Sequence, residues 1–167
     1  KKLYGKRSYE GYSAEQVLTG FMFWYDDWKK EKIIKVKDGA VRERLGLEKY
    51  CSIEDLFNRG GSSGYALGPF MMEYYNGLTD KFHEGVSKLD DKVGLVMDLR
   101  KYAPLKLFPY TQDGTTTWYS AVDKYPSYMD DSRKGYMQQI LPLLGSAAQK
   151  GDTSALKEGI EKLEKYQ

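Results

Sequence analysis

The chain has 167 residues, 41% of them hydrophobic and 30% charged, a globular balance that excludes a disordered or fibrous polypeptide. Its formal net charge of +2, from 26 basic and 24 acidic residues, is too near neutrality for a clustered nucleic-acid footprint, so no nucleic-acid partner is expected. No apolar run approaches the roughly 18–20 residues that cross a bilayer, and the single cysteine, Cys51, permits no internal disulfide.

The length suits one domain over residues 1–167 with a sizeable core. The chain starts at Lys1 without an initiator Met, and the expectation is a piece excised from a longer protein. Tyrosine is the compositional outlier, at 15 residues. Its apolar body and polar tip suit half-buried or interface positions.

In chain order, Ser13 and Gln16 have capping-box spacing and predict a helix start. Ala14, Val17, Leu18, Phe21, Trp24, Tyr25 and Trp28 then recur at one-face spacing, within an arc of roughly 120°. They are expected to face a core. Phe23 projects on the polar side with Gln16 and Asp27 and is expected to look outward. Ile33-Ile34-Lys35-Val36 reads as a short strand, Asp38 as the cap of a short helix ending near Gly46, and Ser52 with Asp55 as a second capping box. Residues 59–69, rich in Gly and Ser, read as a flexible loop.

From Gly68 to Tyr102 the pattern is helical, with interruptions expected at Gly77 and Gly85 and a helix start at Asp90-Asp91. Pro104 stops it. Leu105–Tyr110 and Thr117-Trp118-Tyr119, joined through Asp113-Gly114, predict a β-hairpin in which Pro109 marks an edge strand. Ser132 is expected to open a helix bounded or kinked by Pro142. Gly151-Asp152 separates it from a last helix with a Leu156, Ile160, Leu163 stripe and Lys157–Glu161 and Glu158–Lys162 pairs. The predicted class is mainly α: an irregular helical domain with a C-terminal antiparallel helix hairpin and one small β-hairpin.

Catalytic and metal chemistry is sparse. His83 is the only histidine, and no second His or Cys lies near it in sequence, which argues against a zinc site. On a charged helix it reads as a solvated side chain. The doublets Asp26-Asp27, Asp90-Asp91 and Asp130-Asp131 read as helix-end residues rather than an acid–base pair, because adjacent side chains do not face each other on a helix. There is no nucleophile elbow, phosphate loop, dinucleotide fingerprint or Cys-x-x-Cys-His haem-attachment motif. The expectation is a domain that is not an enzyme by itself, with no catalytic, cofactor-binding or metal-binding residues.

Several segments follow one another in a suggestive order. Lys6–Gly11 precedes Ser13–Leu18 and an aromatic helix containing Gly20; Ile33–Val36 leads to Arg42–Leu47, Lys49-Tyr50 and Ser52–Phe57. Lys88–Val93 then precedes Leu105–Pro109, and the tail carries Ile140–Leu143, Gly151-Asp152 and Lys165-Tyr166-Gln167. This succession resembles the soluble region of fused CcsA/ResB-type cytochrome c biogenesis proteins of the bacterial system II pathway, and it covers most of the chain.

The resemblance implies a periplasmic segment of a membrane protein that moves haem and presents it to apocytochrome c. Its partners would be apocytochrome c or other assembly components and the parent protein's own membrane helices. The family's tryptophan-rich haem segment is flanked by histidines, and these are missing around Trp24-Tyr25-Asp26-Asp27-Trp28. Pathway and location therefore carry over, and no haem ligand does: haem would be handled by the parent protein. Phe23, Tyr110, Trp118 and Tyr119 are the candidate partner-binding residues. Against these stand two other readings, an unrelated helical scaffold or ligand-binding module of the cell envelope, and an enzyme built on converging Asp doublets.

Overall fold

The computed structural model describes residues 1–57 and 64–167. Among the described residues the fold is mainly α, with two small antiparallel two-stranded sheets. The chain divides into two compact units, one of Lys1–Gly20 with Tyr25–Met97 and one of Phe21–Trp24 with Asp98–Gln167.

In the first unit Ser13 starts α1 (Ala14–Phe23) through the expected reciprocal cap: Gln16 N–H donates to Ser13 Oγ at 3.2 Å, and Ser13 N–H donates to Gln16 Oε1 at 2.8 Å. The helix breaks at Trp24 before the single turn α2 (Tyr25–Trp28). That break cancels the continuous stripe expected from the sequence. Phe21 is fully buried, whereas Ala14, Leu18 and Trp24 are exposed. Trp28 instead closes back on Gly20, where a Cβ would overlap its indole.

The strand β1 (Ile34–Lys35) pairs with β2 (Tyr50–Cys51). Between them lies α3 (Gly39–Leu45), whose cap Asp38 accepts from Val41 N–H at 3.0 Å and whose end is set by Gly46 at φ 61°. Ser52 and Asp55 form the predicted capping box of α4 (Ile53–Leu56). Residues 59–63 of the expected flexible loop lie outside the described residues. Its later part carries the Phe57–Tyr65 bridge and the start of α5 (Gly68–Tyr75).

Helix α6 runs without a break from Lys81 to Arg100. Two expectations are corrected here. Gly85 does not interrupt the helix; it lets α3 pack closely, since a Cβ would sit 2.9 Å from Val41 Cγ2 and 3.0 Å from Asp38. The helix also starts nine residues before Asp90, at Lys81, because Asp80 Oδ1 accepts from His83 N–H at 2.8 Å and so caps it. Val86, Leu89, Val93 and Val96 are its buried stripe, joined in the unit's core by residues such as Ile34, Val41, Leu56 and Leu67.

The second unit contains the predicted hairpin, β3 (Phe108–Gln112) and β4 (Thr115–Tyr119). Asp113 and Gly114, at φ 50° and 77°, supply the two left-handed positions that a two-residue hairpin turn requires. Helix α7 (Asp131–Lys150) is opened by Asp130, which accepts from Arg133 N–H at 2.8 Å, rather than by Ser132. It continues through Pro142.

Gly151 ends α7 at φ 67°, and Asp152 caps α8 (Thr153–Tyr166) through Ala155 N–H at 3.0 Å. Tyr136 stacks on Tyr166 while Gly159 faces Leu144, which makes the helix pair antiparallel. The inward stripe of α8 is Leu156, Gly159, Leu163 and Tyr166, and Ile160 is 46% exposed. Gly159 takes the contact position because a Cβ there would lie 2.6 Å from Leu144 Cδ2. Phe108, Ala121, Met129, Met137, Ile140 and Leu141 form the buried cluster, ringed by half-buried tyrosines.

Candidate interaction surface

Register decides what the hairpin presents. Phe108 pairs with Tyr119 and Tyr110 with Thr117, so Phe108, Tyr110 and Tyr119 share the inward face. Pro109 pairs with Trp118, and both project from the opposite face. Trp118 is 49% exposed. Tyr119 is half-buried, its ring edge-on to Tyr125 at 5.7 Å.

Tyr110 is half-buried and carries the exposed Tyr128 ring stacked on it, with centroids 6.1 Å apart. The Arg133 guanidinium lies 5.1 Å from the Tyr110 centroid, a cation–π geometry. Asp130, 3.7 Å from Arg133 Nε, both caps α7 and orients that side chain.

The approach to this surface is pinned by polar bonds. Tyr125 Oη donates to the Ser120 carbonyl at 2.8 Å, and burial pushes its phenol up to about 12. Asp123 accepts from Ser120 N–H at 2.7 Å and from Lys106 Nζ at 2.5 Å. Burial alone would raise the Asp123 carboxyl, but the Lys106 and Ser120 bonds hold it below its ordinary value.

The four sequence-predicted residues are not brought into one patch. Phe23 is half-buried, packs on Tyr102 at 5.5 Å and closes over Gly145, so it does not look outward. The physical reason is the break at Trp24: the end of α1 belongs to the second unit's core, and Gln149 Nε2 donates to the Phe23 carbonyl. Tyr110 and Trp118 are held on opposite faces of the hairpin. Tyr128 and Arg133 join Tyr110 although sequence reasoning passed over them. Their only signal was position, just before and just after the cap Asp130.

The titratable groups elsewhere are tied into local structure. His83 is 4% exposed, not solvated. Its Nδ1 lies 2.8 Å from Asp80 Oδ1 and its Nε2 2.6 Å from Glu73 Oε2. The Glu73 and Asp80 bonds raise the imidazole above its ordinary value, outweighing desolvation, and Asp80 is lowered in return. Phe70 and Phe82 flank the ring, and Arg44 lies over both of them.

Of the Asp doublets, Asp26 reaches Lys29 at 3.7 Å, Asp90 accepts from Tyr65 Oη at 2.6 Å, and Asp130 caps α7. Asp90 and Asp91 sit inside α6 rather than at its end. Cys51 is buried in β2. Among the described residues no group of three or more His, Cys, Asp or Glu side chains is placed to hold a metal ion. No described helix is long and apolar enough to cross a membrane.

No family model matches the chain. The chain spans 16% of the length of a curated relative that it matches. It is similar to Protein NrfI of Wolinella succinogenes, with 25% identity over 154 residues that cover 87% of this chain.

Proposed function

We propose that this chain is a docking segment of a larger cytochrome c biogenesis protein, placed on the periplasmic side of the cytoplasmic membrane. It holds apocytochrome c or another assembly component while the parent protein handles haem. The ordered succession of segments and the similarity to Protein NrfI along most of the chain support the pathway. The observation that carries docking is the solvent-facing aromatic surface of the second unit. Tyr128, 61% exposed, stacks on Tyr110, and Arg133 lies over the same ring. Trp, Tyr and Arg are the side chains that dominate binding energy at protein interfaces.

The proposed role is non-enzymatic, a reading supported by the engagement of each Asp doublet in a cap, an ion pair or a tyrosine bond. His83, the chain's single histidine, has both ring nitrogens committed to carboxylates. His83 is therefore not free to act as an axial haem-iron ligand. A haem titration of the parent chain and of His83→Ala is expected to give the same Soret band. A His83-dependent shift would overturn that assignment.

Titration calorimetry against an apocytochrome c peptide containing its Cys-x-x-Cys-His segment tests docking. Saturable binding is expected, weakened by about 2 kcal/mol or more in Tyr128→Ala or Arg133→Ala. No binding at high micromolar concentration would sink the docking role.

A further inference from the structure

The first unit contains a groove of about 850 Å³, within the size range of small-molecule sites. Its rim is assembled from three parts of the chain: Lys2 at the N-terminus, Lys35 and Lys37 at and just after β1, and Lys81, Lys88 and Lys92 along α6. The α6 lysines are spaced i, i+7 and i+11, so they lie in one stripe roughly 40° wide at 100° per residue. Val36 and Leu89 contribute apolar lining.

Six ammonium groups thus face three carboxylates, those of Asp38, Glu84 and Asp91. Asp38 is already engaged in capping α3. The local excess of positive charge is larger than the +2 of the whole chain. Among the described residues none of these lysines makes an ion pair: the protein's salt bridges use Lys29, Lys32, Lys106, Lys134 and Lys162 instead. Lys92 is the most constrained. Its Nζ donates to the Lys35 carbonyl at 2.6 Å, and burial, followed by repulsion from Lys37 and Lys35, lowers its ammonium below the ordinary lysine value.

An excess of like charge gathered on a concave surface raises the local concentration of an anion of opposite sign. Lysine heads on flexible stems bind phosphate as point charges, with no demand for the planar fork that arginine supplies. We propose that this groove binds a phosphate-bearing anion, either a free small molecule or the headgroup of an anionic lipid. The site is separate from the aromatic surface and does not rest on the docking reading. A bound anion offsets the repulsion at Lys92, so binding tightens as pH falls through that residue's lowered titration range.

The full chain, ¹⁵N-labelled, is titrated with inorganic pyrophosphate, and in a second arm mixed with phosphatidylglycerol or phosphatidylcholine vesicles. Saturable shifts are expected at residues 35–38 and 84–92. Affinity is expected to drop roughly tenfold or more in Lys88→Glu, an exposed site whose change spares the core. Lys92→Gln gives the same loss where it folds, and Lys157→Glu, on α8, leaves binding unchanged. Binding only to phosphatidylglycerol vesicles, lost in Lys88→Glu, supports the proposal with a lipid headgroup as the source. Unchanged affinity in Lys88→Glu, or no response in either arm, overturns it.

Discussion

The two units solve the problem of buried tyrosine differently. In the first, Tyr65 Oη donates to Asp90 at 2.6 Å and Tyr9 Oη to Glu31 at 2.7 Å, so each phenol brought out of water has a charged acceptor. Burial and the neighbouring carboxylate push both phenols well above their ordinary value. In the second, Tyr136 and Tyr166 stack on each other at 5.1 Å, but their hydroxyl oxygens are buried with no hydrogen-bond partner among the described residues. Burying a polar group costs free energy unless a bond replaces the lost water. Tyr65 and Tyr9 are therefore held by polar geometry, whereas Tyr136 and Tyr166 rely on ring area and stacking.

The largest test of that difference lies in the cores. Phe108→Ala, at a fully buried position of the second unit, should cost about 3–5 kcal/mol, and Leu56→Ala in the first about 2–5 kcal/mol. Hydrogen exchange should show protection lost first in whichever unit carries the substitution. Simultaneous loss throughout the chain would break the comparison by making the two units one cooperative body.

A sharper test removes a single oxygen. Tyr65→Phe should lose about 1.5–3 kcal/mol, as expected for a bond to a charged group. Tyr166→Phe should be neutral or stabilising, because it deletes an unpaired buried hydroxyl. Denaturant midpoints read both. A destabilising Tyr166→Phe would mean that its hydroxyl is satisfied after all.

The smallest effect is a slope. Bonds to Glu73 and Asp80 raise the His83 imidazole above its ordinary value of about 6.5. The stabilisation it gives is complete below that ordinary value and is lost as pH rises through the raised one. The partner Asp80, lowered by the same contact, contributes above the ordinary aspartate range and loses its share as pH falls through its lowered value. Unfolding of the first unit should thus become easier as pH climbs past neutrality, and His83→Gln should flatten that dependence. The second unit holds no histidine and should show no slope between pH 6 and 8. A slope surviving in His83→Gln would reassign the effect.

Residues that act on their own neighbours were legible without coordinates. Ser13 with Gln16, Ser52 with Asp55, Asp38, Gly46 and the Asp113-Gly114 turn were readable because caps and tight turns are satisfied within about four residues. The helix hairpin at the C-terminus followed from Gly151-Asp152 for the same reason. What spans the chain was not legible. Phe23 reads as outward on a continuous helix, and only the break at Trp24 and the packing on Tyr102 turn it inward.

His83 has the sequence neighbourhood of a solvated side chain, yet Glu73, on a separate helix, completes its clamp. The lysine groove is invisible to a net charge near zero, since its members come from residues 2, 35–37 and 81–92. Local hydrogen bonding is written into adjacent residues. Burial and electrostatic field depend on which distant segments meet, and only the tertiary structure decides that.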